Sequence, residues 1–252
     1  ARTRFFHALI SDTFDSELAL QKQALGLNVQ LAGGYRAIVL TLLQGKAPAE
    51  RGAEMLLEAT SSVELPSRAL THVSDSTTLL VLWPEGGPPA EGLVAQLQAE
   101  SELRWSGRAK PVVRAGLGSF HPGLHGVSRS YLEAQQAIDI GRRLRPEGGA
   151  HDYEEVLPYL AMTQNPLLAE RYVRHHLGAV LEADAKGGGQ LLPTLEAFLA
   201  KASVKDAAES LHLHRHTVIY RLDKLRESLG FDFTDPYVRH RLQFALDLRR
   251  LL

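Results

Sequence analysis

The chain has 252 residues, of which 44% are hydrophobic and 23% are charged, and its formal net charge is −1. These values are typical of a folded globular protein, and no apolar run approaches the roughly 18 residues that a membrane helix needs. The absence of cysteine excludes disulfides, thiolate metal sites and cysteine nucleophiles, and it fits a reducing cytoplasm. We therefore expect a cytoplasmic protein.

Residues 1–34 contain two short helical patterns, "RFFHALI" and "SELALQKQALGL". The chain starts with Ala rather than Met, which favours the C-terminal portion of a longer protein. We expect this first segment to be a helical connector from a sensory domain that precedes it.

Residues 35–164 alternate between strand-length apolar runs and amphipathic helical runs. "YRAIVLTLL" predicts the first strand, and "ALTHVSDSTTLLVLW" predicts two strands joined by the turn-forming "SDS". "KPVVRAGLGSF" predicts another strand, followed by a helix over about 128–144 and a last short strand or turn. The order β-α-β-β-α-β-α-β predicts a ferredoxin-like α/β domain, with helices on one face of a mostly antiparallel sheet.

The pattern becomes helical after residue 164. Residues 165–190 predict a connector helix that ends in the flexible linker "KGGG", and residues 191–252 predict an all-α domain. The fold class is therefore α+β, an α/β domain followed by a helical one.

The helical domain contains the pattern of a helix-turn-helix motif. "SVKD" has the form of a capping box in which Ser203 accepts from a free backbone N–H, so a helix begins at Val204. The small residues Ala207 and Ala208 let a second helix cross closely, and that helix begins about three residues after the first one ends. Its apolar stripe consists of Val218, Leu222, Leu225 and Leu229.

The opposite face of the second helix carries hydrogen-bonding side chains, an aromatic ring and cations. Residues 211–226 hold four Lys or Arg against Asp223 alone, and such a local excess favours nucleic acid over a merely solvated surface. A helix of this kind fits the major groove. We predict this DNA-contacting set: His214, Arg215, His216, Thr217, Tyr220, Arg221 and Lys224.

Roles within this set follow from side-chain chemistry. We expect His216, Thr217 and Tyr220 to contact base edges, and the three cations of the set to lie nearer phosphates.

Three histidines, His212, His214 and His216, are spaced as His-x-His-x-His. They converge on one metal ion only in an extended segment, because residues i and i+2 point to opposite sides of a helix. No cysteine or nearby carboxylate completes a ligand set, so we predict neither a metal nor another cofactor here. We expect His212 and His214 to form the turn, where histidine tolerates a positive φ, and His214 to be the N-cap.

Other candidate sites are weaker. "GLGSFHPG" lacks the form of a phosphate-binding loop and is better interpreted as a strand end that turns into a helix. His121 and His125 could join Asp139 or His151 in a metal set, but no spacing requires it. No catalytic motif occurs, so we predict no catalytic residue and no enzyme.

The last helix, "VRHRLQFALDLRRLL", has an apolar stripe that packing or dimerisation would bury. The stripe consists of Val238, Leu242, Ala245, Leu248 and Leu252.

The C-terminal segment "AAESLHLHRHTVIYRLDKLRESLGFDFTDPYVRHRLQFALDLRRLL" resembles the helix-turn-helix domain of the PucR/CdaR family, bacterial transcription regulators of purine, sugar-acid and amino-acid catabolism. The resemblance rests on "LHLHRHTVIYRL", on the "GFD" after the second helix and on the closing "RLQFALDLRRLL". The sequence departs from the family at His216, where asparagine is expected more often.

The central segment "PVVRAGLGSFHPGLHGVSRSYLEAQQAIDIGRRL" resembles the GGDEF-like domain of the same regulators. In active diguanylate cyclases an acidic Gly-Gly-Asp/Glu-Glu-Phe hairpin holds Mg²⁺ and nucleotide. The corresponding hairpin here has no Gly-Gly and only Asp75 as an acid, whereas hard cations need several oxygen ligands.

The resemblance implies a sequence-specific regulator of a catabolic operon. It would bind double-stranded DNA as a homodimer or higher homo-oligomer and respond to a small-molecule effector through an N-terminal domain. Two alternatives stay open for the α/β domain: a nucleotide-binding or residual cyclase-type enzyme, and an effector-binding module.

Overall fold

The structure, a computed structural model, describes residues 1–45, 47–105, 109–230, 232 and 235–252. The chain divides into two compact units, and the division falls between residues 160 and 161.

The first unit consists of one sheet and the helices that cover it. Its elements follow in this order: α1 (Arg2–Ile10), α2 (Glu17–Gly26), β1 (Tyr35–Gln44), β2 (Ala47–Pro48), α3 (Gly52–Thr60), β3 (Leu70–Val73), β4 (Thr78–Pro84), α4 (Glu91–Arg104), β5 (Pro111–Leu117), α5 (Gly126–Leu144), β6 (Gly149–Asp152) and α6 (Tyr153–Thr163), which straddles the division.

The strands lie in the order β3-β4-β1-β5-β6, and β2 pairs with β1. The β3/β4, β4/β1 and β1/β5 pairs are antiparallel, whereas β5 and β6 are parallel because α5 crosses over between them. The predicted order of strands and helices is confirmed, with the two-residue β2 and the helix α6 as additions; the last predicted strand or turn is confirmed only at β6, because the residues after it form α6.

Both faces of the sheet are covered by helices, so the prediction of helices on one face is wrong. Alternate residues of β1 belong to different cores: Tyr35 and Ala37 pack with α1, α2 and α5, and Ile38 and Leu40 pack with α3 and α4. The nearly continuous apolar run of β1 is the signature of a strand buried on both sides.

The N-terminal segment is part of this core. Phe5, Phe6 and Leu9 of α1 and Leu20 of α2 are fully buried against the sheet, and the Phe6 ring stacks on His72 of β3 at 4.5 Å. Residues 1–34 therefore pack as part of the first unit instead of standing apart as a connector.

Helix α5 lies so close to β5 that no side chain fits between their backbones at two glycines. A Cβ at Gly116 would overlap the carbonyl oxygen of Ala134, and one at Gly118 would overlap that of Ser130. The hydroxyl of Ser130, which is fully buried, also accepts from the backbone N–H of Ala37 at 2.8 Å. The glycines of "AGLG" thus serve helix packing.

The loop between β5 and α5 includes most of the segment "GLGSFHPG". Its backbone donor at Ser119 is bound to the Glu133 carboxylate at 2.9 Å, and His121 Nε2 lies 2.9 Å from the same carboxylate. The loop is the strand-to-helix turn that its sequence indicates.

The second unit is helical. Its elements are α7 (Pro166–Gly187), α8 (Leu191–Lys201), α9 (Val204–Ser210), α10 (Arg215–Leu229) and α11 (Pro236–Leu251). Helix α7 packs against α8, α10 and α11, so residues 165–190 contribute a structural helix to this unit. The "KGGG" segment ends α7, with Gly188 and Gly189 at positive φ.

We predict that Gly118→Ala destabilises the first unit by about 3 kcal/mol, because the added methyl must push α5 off the sheet. The matched control is Gly92→Ala on α4, where a Cβ meets nothing within 4 Å and should stabilise by about 0.5 kcal/mol. Urea unfolding measures both free energies. Equal stability of the two variants would contradict this packing.

Candidate nucleic-acid interface

Helix α9 begins where the capping pattern predicts. The Ser203 hydroxyl accepts from the backbone N–H of Asp206 at 3.3 Å, and the helix begins at Val204. Ala207 and Ala208 are buried, and α9 packs against α8 and α10. The small side chains therefore lie at a helix crossing, as their size indicates.

The turn between α9 and α10 uses a left-handed residue. His212 has φ 53, which confirms that a histidine occupies the positive-φ position. His214 has φ −72, so it is part of the turn without sharing this conformation. Leu213 closes the turn with a backbone hydrogen bond to Ala208 O at 2.9 Å.

His214 is the N-cap of α10, as predicted. Its Nδ1 accepts from the backbone N–H of His216 at 3.4 Å, and the two imidazole rings stack at 5.2 Å. The pair holds the first turn of α10 and leaves both side chains exposed.

One side of α10 is buried in the unit. Val218 and Leu225 are fully buried and Leu222 is nearly so, and the helix packs against α7, α8 and α9. These three confirm the predicted stripe, and the side chain of Leu229 lies outside the described residues.

The other side of α10 faces solvent with the predicted chemistry. Arg215, His216 and Lys224 are exposed, and Tyr220 is 69% exposed. Thr217 is half-buried, so its hydroxyl lies at the edge of this surface. We call Arg215, His216, Thr217, Tyr220 and Lys224 the α10 outer face. Ile219 is also 40% exposed, and the sequence reading did not single it out.

Arg221 has partners within the unit. Its guanidinium donates to Gln190 Oε1 at 2.5 Å and to Thr194 Oγ1 at 3.5 Å, and both acceptors belong to the start of α8. That start is itself capped by the Asp184 carboxylate, which accepts from the backbone N–H of Leu191 at 2.7 Å. Arg221 therefore ties α10 to α8.

The last helix packs as one of its two interpretations predicts. Val238, Leu242, Ala245 and Leu248 are buried, and α11 contacts α7 and α8. Leu252 was wrongly placed in the stripe: it is half exposed, and Leu251 is buried in its stead.

The hairpin of the first unit has its acid in a turn. Asp75 Oδ1 accepts from the backbone N–H and the hydroxyl of Thr77, both at 2.7 Å, and from the N–H of Thr78 at 3.0 Å. Burial alone would raise the pKa of Asp75, but these hydrogen bonds outweigh burial and hold the pKa below its usual value. The carboxylate organises the β3–β4 turn.

Within the part of the chain that the structure describes, no cluster of three His, Cys, Asp or Glu residues could hold a metal ion. His121 pairs with Glu133, and His125 Nδ1 lies 2.5 Å from Asp12. None of the described helices is long and apolar enough to cross a membrane.

Two family models match the two units. The model of the PucR C-terminal helix-turn-helix domain matches residues 191–248, and that of the GGDEF-like domain matches residues 11–140. A GGDEF-like unit followed by a helix-turn-helix unit defines a class of transcription regulator. The chain belongs to the PucR/CdaR family of these regulators. The family motif "GFD" includes Phe231, which lies outside the described residues.

Characterised relatives agree with this assignment. The chain is 24% identical to the purine catabolism regulatory protein of Bacillus subtilis (strain 168), over 100% of the chain and 49% of the relative. It is 24% identical to the proline-responsive transcriptional activator PutR of the same organism, over 95% and 59%. It is 27% identical to the carbohydrate diacid regulator of Escherichia coli (strain K12), over 63% and 39%. The chain thus spans about half the length of the relatives it matches.

We predict that His214→Ser stabilises the second unit by about 0.5–1 kcal/mol, because serine caps a helix better than the long imidazole contact does. Thermal or urea unfolding of the wild type and the variant measures this.

His216→Asn, next to the cap but on the exposed surface, is the matched control and should change stability by less than about 0.5 kcal/mol. A loss of stability in His214→Ser would contradict the capping role.

Proposed function

We propose that the chain is a sequence-specific DNA-binding regulator in which α10 is the recognition helix. The observation that carries this proposal is the division of α10 into a buried stripe and the cationic, hydrogen-bonding α10 outer face. A helix-turn-helix lays its second helix in the major groove, with the N-terminal residues against base edges. The α10 outer face begins at Arg215, the first residue of α10.

The side chains divide by reach and chemistry. His216, Thr217 and Tyr220 contact base edges through their ring nitrogens and hydroxyls, and Arg215 and Lys224 contact phosphates. His214 sets the entry of α10 into the groove through its cap. Arg221 acts on DNA through the position of α10, because its hydrogen bonds go to Gln190 and Thr194.

We extend the proposal to the oligomeric state of the protein and to its regulation by an effector. Helix-turn-helix proteins present two recognition helices about one DNA turn apart, so we expect a homodimer or a higher homo-oligomer on a palindromic site. The names of the relatives favour a catabolic or metabolic operon and a small-molecule effector, sensed through a domain that precedes this chain in the whole protein. Such a regulator works in the cytoplasm.

We also propose that the first unit is not a nucleotide cyclase. Its hairpin offers Asp75 alone, and one oxygen of that carboxylate is already used by the turn. A dinucleotide product from GTP and Mg²⁺ would overturn this part of the proposal.

The test is the salt dependence of binding to duplex DNA of random sequence. Each phosphate contact contributes about 0.9 to the slope of log K against log salt. We predict that Lys224→Ala weakens binding to all sequences and lowers the slope by about 1. Arg221→Ala should leave the slope unchanged and reduce the stability of the second unit by about 1 kcal/mol.

Lys22→Ala, on the exposed surface of α2, removes the same charge away from α10 and serves as the control. Equal slopes of log K against log salt for the Lys224 and Lys22 variants would exclude α10 as the DNA-binding interface. Absence of any DNA binding at low salt would overturn the proposed function itself.

A further inference from the structure

A cavity of about 490 Å³ opens on the α5-covered face of the sheet in the first unit. It is bounded by β1, β2, the turn between β3 and β4, β5 and α5. Its lining includes Arg114, Tyr131, Arg142 and Asp75. This volume lies within the range of small-molecule sites, which are mostly preformed concavities with a few convergent polar groups.

Arg114 is a buried cation at the wall of this cavity. The residue is only 8% exposed, on β5, and its Nη2 donates to Pro146 O at 2.8 Å. Its Nε is buried and has no hydrogen-bond partner among the described residues. An arginine has five N–H donors, and the Nε–H of Arg114 is one that the described part of the chain leaves without an acceptor.

The charge of Arg114 is not balanced by its neighbours. Burial lowers the pKa of Arg114, and the charge of Arg142 lowers it further, against a weaker opposing effect of Glu147. The nearby buried His151 cannot balance this charge, because an imidazole is neutral or cationic. Burial and the charges of Arg145 and Arg114 lower the pKa of His151 to about 4. A buried, unpaired cation is costly, and an anion in the cavity would relieve that cost.

Two further groups of the lining can interact with an anion. The Tyr131 hydroxyl accepts from Gln135 Nε2 at 3.0 Å, which leaves its own O–H to donate. Arg142 is exposed at the rim and pairs loosely with Asp139 at 3.5 Å. Burial and then the nearby Asp75 charge raise the pKa of Tyr131, so a negative charge stands on the wall beside it.

We propose that this cavity binds a small organic anion through a single carboxylate or phosphate group that pairs with Arg114. Arg142 attracts the anion at the rim, and the Tyr131 hydroxyl donates to it. The acids Asp75 and Asp139 in the lining disfavour a polyphosphate, which separates this site from a nucleoside triphosphate site. The inference stands apart from DNA binding, since all lining residues belong to the first unit.

The test follows the Nε–H resonances of arginine by ¹H–¹⁵N NMR on the full 252-residue chain. The probes are sodium acetate, inorganic phosphate and GTP with Mg²⁺, each titrated against sodium chloride at equal ionic strength. We expect one Nε–H resonance to change its chemical shift with added anion until the change reaches a plateau. This resonance should be absent from the spectrum of Arg114→Lys. Saturation by acetate alone identifies a carboxylate ligand, and saturation by phosphate alone identifies a phosphate ligand.

A pair of neighbouring variants on α5 provides the control and works even if Arg114→Lys fails to fold. Arg142→Glu should weaken the apparent affinity about tenfold, because it reverses the rim charge next to the anion. Arg143→Glu makes the same change on an exposed neighbour outside the cavity lining and should alter affinity less than about twofold.

Three results would overturn the proposal. The first is the absence of a saturable shift with either anion, as expected if a water molecule satisfies Nε. The second is an equal effect of the two α5 variants. The third is a shift that only GTP with Mg²⁺ produces, which would make the cavity a nucleotide site.

Discussion

The burial of one apolar stripe of α10 is the constraint on which the candidate DNA surface depends. Val218, Leu222 and Leu225 are packed against α7, α8 and α9, and each such side chain contributes about 1.5–3 kcal/mol on burial. The Arg221 hydrogen bonds and the His214 cap contribute about 1 kcal/mol or less each. The stripe therefore sets the rotation of α10, and the polar contacts refine its position. The exposure of His216 and Tyr220 follows from that rotation.

The local features of the second unit could be predicted from the sequence because short-range geometry determines them. The serine cap of α9, the positive φ at His212 and the buried stripe of α10 all depend on residues within one or two turns. The partners of Arg221 could not be predicted in this way, since Gln190 and Thr194 lie 31 and 27 residues earlier in the chain. A helical wheel puts Arg221 on the flank of the surface and cannot tell whether it turns to DNA or to α8.

The first unit shows the same limit on a larger scale. Apolar alternation predicted the order of strands and helices along the chain, but that order does not say what covers each face of the sheet. Phe5 and Phe6 were the available signal that α1 belongs to a core, because adjacent aromatic residues at a helix start are costly to expose. Arg114 also left a trace in the sequence, as a lone cation inside the apolar strand "PVVRAGL". The lack of a hydrogen-bond partner for its Nε among the described residues becomes visible only in three dimensions.

The two units combine a retained fold with altered chemistry. The β3–β4 hairpin of the first unit is present, but its one acid, Asp75, accepts hydrogen bonds within the turn. The nearby cavity has the cations Arg114 and Arg142 in its lining. The helix-turn-helix keeps its packing, and His216 is exposed on the α10 outer face, where the family resemblance leads us to expect asparagine. We therefore propose that function in this chain depends on a few side chains on two well-packed cores.

The central claim is that the exposed residues at the start of α10 read DNA bases. The most direct measurement is selection of bound sites from random duplex DNA, run in parallel with the wild-type chain and with His216→Asn. The account predicts a palindromic consensus for both, with the preferred base changed at one position in each half-site of the variant. Identical consensus sequences from the two proteins, or none from the wild type, would contradict it.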